Sequence, residues 1–574
     1  MAEKEVLATF FGDEEFPVEW ESEEEKELFW WFDDNHCMHP VSPMYYSLDG
    51  WWGPTLEYMY RRFGAPFGKA WEGKRVNGYL YSAVLPREGA RAARFGPYYG
   101  WLMPTYANNF LDWWRDRYLP EIKANCQYLD DELDEATDKT LPELMFLLEE
   151  AIDIQYRHFC IHWILNLAQF QSSMDFQAAV QEVIGDVNPQ LIGRILISKE
   201  DRNWDSIDEA WRLKEKVMAD PDLKAIFDGG DTAAAIMPAL ATSEKGRAFM
   251  EDIEGYAKEF GYKAIFPHEY INKLWVEDVT PIVETIKGYV ASDYDFPSVY
   301  QRSMGDQAAA MEELRDMVPD TATEEQVQHV EEKMALAVKM MPLTPDHHFY
   351  IDQGTFGRLR LVLMAIGRHM VEKGLIDVPE DIMFLEYEQL QWYLANPKTE
   401  DNPDGSDGRG VIKAARRAWD DSWKKTPRSW VGTVTQWSMY EEPYHTLWGW
   451  PQRFEREQAG LDQVEGVVEG LPGSAGIVEA TARVVWGPDE FDKVRDGEIV
   501  VCITTNPAWV VVFSKIAGVV TDTGGVLAHP AVVAREFAIP CVVGTGNATR
   551  RINTGDRVRV NGNTGKVEVI SKAA

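Results

Sequence analysis

No two cysteines in this sequence stand in CxxC spacing: Cys37, Cys126, Cys160, Cys502 and Cys541 are scattered along the chain. That pattern argues against a zinc cluster and suits reduced thiols. No apolar run approaches the roughly eighteen residues that a membrane-spanning helix needs, so none is expected. The start, Met1-Ala-Glu-Lys-Glu, lacks the basic residues and apolar core of a signal peptide, and a cytoplasmic location is the expectation. Basic residues are outnumbered 57 to 94, for a formal net charge of -37. A field of that sign repels phosphate backbones and anionic headgroups, which sets aside nucleic acid and membrane as partners.

The negative charge is confined to one part of the chain. From Val467 onward there are eleven Lys and Arg against eleven Asp and Glu, so the whole of the -37 falls within residues 1–466. A chain of 574 residues exceeds what one core can organise and should form two to four domains, and the break in charge marks one boundary. Residues 1–455 read mostly as helix, with amphipathic stretches at Leu141 to Gln171, Ser243 to Gly261 and Thr323 to Met341. Strand signals there are few, and the first 150 residues show neither the glycine-rich loop nor the β-hairpin context of a nucleotide cradle. Aromatic residues cluster densely in this region, at Phe29-Trp-Trp-Phe32, Tyr45-Tyr46, Trp51-Trp52, Tyr98-Tyr99, Trp113-Trp114 and from Trp430 to Trp450. They build either a helical core or an apolar acceptor pocket. Residues 456–466 turn polar and read as a linker. Residues 467–574 read as a small α/β domain, with strands near Ala482–Trp486, Glu498–Ile503, Gly518–Thr521, Cys541–Val543, Arg557–Val560 and Lys566–Ile570 and a helix from His529 to Phe537.

The segment from Val519 to Gly544 carries the strongest chemical signal. A strand enters a loop holding Thr523, Gly524 and Gly525, and a helix opens at His529, the sole histidine beyond residue 466. Paired glycines allow close approach by a bulky anion, and the N–H groups and dipole at a helix N-terminus favour phosphate. Pro530 suits the first turn, where its missing N–H has no partner to lose. Arg535, nearly two turns on, either faces the phosphoryl group or binds the sheet. A helix-capping or core histidine beside a glycine turn remains the alternative on residue type alone.

The same segment resembles the phosphohistidine domain of the phosphoenolpyruvate-utilising enzymes, among them pyruvate phosphate dikinase, phosphoenolpyruvate synthase, rifampin phosphotransferase and phenylphosphate synthase. The resemblance runs from about Gly470 to Ile570. It takes in Ser474-Ala-Gly-Ile-Val-Glu-Ala-Thr-Ala-Arg-Val484, Thr505-Asn-Pro-Ala-Trp509, the Thr-Asp-Thr-Gly-Gly525 loop, Ala-Arg535-Glu, Ile-Pro-Cys-Val-Val-Gly544 and the closing Gly-Asp-Arg-Val-Arg-Val-Asn-Gly-Asn-Thr-Gly565. It implies a multidomain protein in which a mostly α-helical substrate-binding region precedes a C-terminal swivelling β/β/α domain, phosphorylated on His529 and hinged near 456–466. Two departures stand out. Ser474-Ala475-Gly476 replaces the usual Ser-Pro-Gly, and Leu527-Ala528 replaces the hydroxyl or thiol residue often found just before the histidine.

Relatives that charge their own histidine carry an ATP-grasp domain, and those that use phosphoenolpyruvate end in a TIM barrel; neither pattern is legible here. The resemblance therefore implies a separate ATP-grasp subunit holding ATP and Mg2+, with no cofactor tightly bound to this chain. That split arrangement is similar to phenylphosphate synthase and the hydroxyphenyl-ketone phosphotransferases of aromatic catabolism. Phe356 to Arg368, Lys373 to Leu385 and Asp34 to Pro43 resemble the helical substrate domain of phenylphosphate synthase and rifampin phosphotransferase. The expected activity is phosphorylation of a small phenol, with ATP giving AMP and phosphate. The alternatives are a rifamycin-type antibiotic as acceptor, or a non-catalytic phosphohistidine carrier.

An acceptor hydroxyl must lose its proton, and His347 and His348 are the candidate bases. Tyr350, Arg358, Arg360, His36, His39, His158 and His162 are candidate acceptor-binding residues. The two arginines either receive the phosphoryl group or form ion pairs with the acidic helices. His158 and His162, four apart on a helix, share a face, but with no third ligand in view no metal is assigned.

Overall fold

Asn77 and Gly78 turn the chain back on itself with φ of 50° and 90°, the pair of left-handed residues that a two-residue type I′ hairpin requires. A Cβ at Gly78 would stand 2.2 Å from Ser422 Oγ, so glycine is needed for space as well as conformation. The hairpin joins Ala70–Val76 to Tyr79–Leu85, paired from Val76 opposite Tyr79 to Ala70 opposite Leu85, an element not expected in a region where strand signals are few. The structure is a computed structural model and describes residues 16–433 and 466–573, apart from 35, 49–51, 66–67, 86, 88–91, 231, 265, 267, 293, 399–401, 403–404, 406 and 507–508. The sequence-predicted linker up to 465, and the aromatic run beyond residue 433, lie outside the described residues.

By contacts the chain forms two units, residues 1–168, 266–272 and 347–437 in the first and 169–265, 273–346 and 438–574 in the second. In the first unit four strands, β1 (Phe29–Phe32), β2 (Ala70–Val76), β3 (Tyr79–Leu85) and β4 (Trp430–Gly432), form an antiparallel sheet in the order β2-β3-β1-β4. All four residues of β1 are buried, so this aromatic run is a core strand. Around the sheet run helices that include Trp52–Phe63, Ala92–Trp113 and Gly354–Glu372. The last of these is entered through a π-helical turn, His348–Gln353. A 43-residue helix, Leu141–Val183, gives its residues up to Ala168 to the first unit and the remainder to the second.

The second unit holds the remaining strands: β5 (Val467–Glu469), β6 (Leu471–Ser474), β7 (Ile477–Val484), β8 (Ile499–Cys502), β9 (Gly518–Thr521), β10 (Cys541–Val543), β11 (Arg557–Asn561) and β12 (Lys566–Ser571). They make one eight-stranded sheet in the order β5-β12-β11-β7-β8-β9-β10-β6. The centre, β7 to β10, is parallel, which requires crossovers, and the helix His529–Glu536 lies in the crossover from β9 to β10. The helices expected from periodicity are present, Glu244–Phe260 capped by Ser243 and Glu324–Met340 closed by a Thr323–Gln326 capping box. A mostly helical region followed by a C-terminal sheet region is the observed architecture. Among the described residues no helix is long and apolar enough to cross a membrane.

Candidate active site

His529 sits where β9 has ended and a helix begins, half-buried, with Ala528 as an extended N-cap and Pro530 in the first turn. The loop between strand and helix depends on Gly524, whose φ is +113° and whose added Cβ would stand 2.9 Å from that of Ala528. Thr523 is fully buried and donates its N–H to the carbonyl of Ile503. The neighbouring Asp522 accepts from the Thr545 hydroxyl and from both N–H and hydroxyl of Thr549. These bonds fix the loop to the ends of two other strands.

The imidazole is held by a hydroxyl from another loop. Thr505 Oγ1 lies 2.8 Å from His529 Nδ1, and the ring of Phe513 stands edge-on at 6.2 Å. The missing hydroxyl before the histidine thus has a counterpart after β8. Leu527, which stands in its place, is buried with Val526 in a core that includes Phe176, Leu191, Ile192 and Ile195.

Arg535 binds the backbone. Its Nη1 donates to the carbonyl of Gly473 at 2.7 Å and its Nη2 to that of Val526 at 2.9 Å, tying the histidine loop to β6. Burial pushes its guanidinium down to about 10, against the attraction of Cys541 and Glu536. Of the two roles open to it from sequence, the structure gives the sheet-binding one.

The first unit gathers a second group of candidates around Asp352, a buried carboxylate that the sequence reading did not single out. His348 Nδ1 lies 2.6 Å from its Oδ2, His162 Nδ1 3.1 Å from its Oδ1, and His347 Nε2 3.8 Å from its Oδ2. Burial pushes the Asp352 carboxyl up, but the imidazoles of His162 and His348 outweigh it and hold the group well below the ordinary carboxylate range. His162 is itself pushed down by burial, against the pull of Asp352. The π-helical turn accounts for the convergence: with about 4.4 residues per turn rather than 3.6, residues four and five apart fall on one side, and so His347 and His348 both reach Asp352.

Aromatic rings line this group. Phe159 stacks on His162 at 4.8 Å and Trp163 meets it edge-on at 4.7 Å. His268 lies 5.3 Å from His36 and 5.1 Å from Phe356, and Trp52 packs against both histidines. Burial pushes His268 down to about 3, reinforced by its histidine neighbours and opposed by Asp352. Burial also lowers His36, but its 2.7 Å contact with Asp33 wins and raises it.

Other sequence candidates have other partners. His158 meets Thr355 Oγ1 at 2.8 Å and Asn125 at 3.0 Å, and burial takes it to about 3; His162 finds its partners in Asp352 and His347 instead. His39 hydrogen-bonds the Pro40 carbonyl and packs 4.1 Å from Phe266, with burial pushing it to about 4. Arg358 forms a bidentate pair with Asp130 at 2.8 and 2.6 Å, and Arg360 donates to the carbonyl of Tyr270. Tyr350 packs between Phe349 and Trp114, with Lys123 over its ring at 5.2 Å.

Comparison with known proteins matches two stretches that fall mostly within the second unit. Residues 494–565 match the mobile domain of the PEP-utilising enzymes, and residues 190–343 match the fourth domain of rifampicin phosphotransferase. The chain therefore carries a PEP-utiliser mobile domain, with His529 within it. It is 25% identical over 548 residues to the uncharacterized phosphotransferase YvkC of Bacillus subtilis (strain 168), an alignment covering 95% of this chain and 62% of that protein. It is 26% identical over 580 residues to chondramide synthase cmdD of Chondromyces crocatus, covering 97% of this chain and 14% of the relative. A rifampicin phosphotransferase of Bacillus cereus is 25% identical over 334 residues, 57% of this chain and 35% of that one. The chain thus spans from about a seventh to about three fifths of the length of these relatives.

Proposed function

We propose that His529 accepts a phosphoryl group and passes it to a hydroxyl of an organic acceptor bound at the aromatic, histidine-rich cluster around Asp352. The observation that carries this reading is His529 itself, half-buried at the opening of a helix just past Gly524-Gly525, with Nδ1 engaged by Thr505. With the Nδ1–H donating to Thr505 Oγ1, the ring lone pair is on Nε2, which directs the phosphoryl group there. In the first half-reaction the Nε2 lone pair attacks the donor phosphorus, a P–N bond forms and the donor P–O bond breaks. In the second the acceptor oxygen attacks, the P–N bond breaks with its electron pair returning to Nε2, and the hydroxyl proton passes to a base. His348, oriented by Asp352 and half-exposed, suits that base, since a carboxylate fixes the tautomer and stabilises the imidazolium.

The donor side follows the same reading: an ATP-grasp partner with Mg2+ charges His529, with ATP and one water together giving phosphohistidine, AMP and phosphate. For the acceptor, the matches to rifampicin phosphotransferase favour a rifamycin-type hydroxylated antibiotic. The small phenol expected from the sequence gains no such support and yields to it.

Phosphoramidate, a small P–N donor, tests the first half without a partner. The wild-type chain should form an acid-labile, alkali-stable adduct that peptide mapping places on His529, and His529→Ala should form none. A stable label elsewhere, or equal labelling of the variant, overturns the assignment. Charged protein is then offered rifampicin and a panel of phenols. Loss of label to a phosphorylated product supports transfer, whereas charged protein that modifies neither class identifies a carrier.

A further inference from the structure

We propose that His162, His347 and Asp352 bind a divalent first-row transition-metal ion. One ligand atom from each lies within 4.8 Å of the others, and all three residues are buried. The closest approach is the informative one. His162 Nδ1 and Asp352 Oδ1 stand 3.1 Å apart, yet they miss hydrogen-bond geometry and neither atom has another hydrogen-bond partner. The two atoms form an ion pair whose alignment is poor for a hydrogen bond, and a buried pair left so is explained by an ion that both can ligate. Ligands at 2.0–2.2 Å from a shared ion lie roughly 2.8–3.6 Å from one another. The 3.1 Å separation falls within that range; the 3.8 Å from His347 Nε2 to the other carboxylate oxygen, Oδ2, and the widest spacing of 4.8 Å in the set lie outside it, so the His347 ring must turn toward the ion on binding.

The surroundings carry the other features of a metal centre. His348 engages Asp352 Oδ2 at 2.6 Å, the outer-sphere bond that orients a ligating carboxylate. Phe159 and Trp163 pack against His162 and fix its ring. The π-helical turn at His348–Gln353 is the backbone device that brings His347 and Asp352 together, and such turns gather at functional sites. Two imidazoles and one carboxylate are poor in oxygen for Mg2+ or Ca2+ and lack the thiolate that selects Cu(I), so Zn2+, Mn2+ or Fe2+ is the class of ion.

Three protein ligands leave a coordination position open. If the transfer reading holds, the acceptor hydroxyl occupies it and the ion assists loss of its proton. Occupancy of the site does not depend on that reading.

The test therefore uses no phosphoryl donor. The untagged full-length chain is stripped with a chelator, dialysed against Zn2+ and assayed for bound metal, with Co2+ as the spectroscopic probe. One equivalent per chain is expected, together with visible Co2+ bands. His162→Gln and Asp352→Asn should each lower the affinity at least a hundredfold, His348→Ala should lower it about tenfold, and the exposed His329→Ala should bind as wild type. X-ray absorption of the Zn2+-loaded wild type, which needs no variant to fold, should show two imidazoles in the first shell. Folded wild-type protein that takes up no Zn2+ overturns the proposal, as does bound Zn2+ without imidazole scattering or equal uptake by folded His162→Gln and Asp352→Asn.

Discussion

Thr505, in the loop after β8, and His529, the first residue of its helix and 24 residues on, meet through a 2.8 Å bond between Oγ1 and Nδ1. That bond leaves the choice of reactive nitrogen to a hydroxyl outside the histidine loop. Thr505→Val keeps the side-chain volume and removes the partner. A hydrogen bond of this kind is worth about 1 kcal/mol, more once the ring is charged, so the charging rate should fall about tenfold with His529 still present. Timed phosphoramidate labelling reads this directly. An unchanged rate would show that Thr505 serves only the resting state.

Gly524 is the second test of the loop. At φ +113° an alanine is strained, and its Cβ would press on that of Ala528 at 2.9 Å. Gly524→Ala should cost about 1–3 kcal/mol and displace His529, so the thermal midpoint and His529 labelling should fall together. A variant that labels normally would separate loop geometry from reactivity.

Much of this architecture is legible in the sequence, and the failures have physical causes. The apolar period announces the helices that start at Ser243 and Thr323, and the β-branched runs announce β8 to β12, whereas the run at Ala482–Trp486 catches only the end of β7, Ile477–Val484. The strands β5 and β6 are not legible, because Gly470, Pro472 and Gly473 read as a turn. Both lie at the ends of the eight-stranded sheet, where an edge tolerates proline. The Asn77-Gly78 turn is a strong local hairpin signal, but Gly73 and the charges in Ala70–Val76 obscure the strand beside it. Asp352 could not be paired with His162 from sequence, 190 residues away. Even its link to the adjacent histidines depends on a π-helical phase that ordinary helical spacing does not anticipate.

A variant at His348 should separate the two proposed half-reactions. The half-exposed His348 ring bonded to Asp352 is the base of the proposed acceptor step, and the proposal gives it no role in charging. His348→Ala should label at His529 as wild type does, while transfer to the acceptor slows by about 10² or more. Equal loss of both steps would mean the variant disturbs the fold, and normal transfer would move the base to another residue.

Lys263 offers a pH test of the second unit. Its ammonium is buried, with Nζ donating to Ser206 Oγ at 3.0 Å and lying 4.4 Å from the Trp275 ring and 5.9 Å from that of Tyr256. Burial pushes it down to about 7, from an unfolded value near 10.4. Between those values the unfolded chain holds a proton that the folded chain has released, so stability must rise with pH across this window. Lysine's contribution is complete above the unfolded value and is lost as pH falls toward 7. The two ring faces favour the charged form by about 1 kcal/mol, which narrows the window without reversing its sign. Lys263→Met removes the titration and keeps the volume. Urea unfolding at pH 6.5 and 9.5 should therefore show the variant gaining on the wild type by about 1–3 kcal/mol at the lower pH relative to the higher. A difference that is flat with pH would mean that Lys263 stays protonated in the fold, its charge carried by the aromatic faces and the Ser206 hydroxyl.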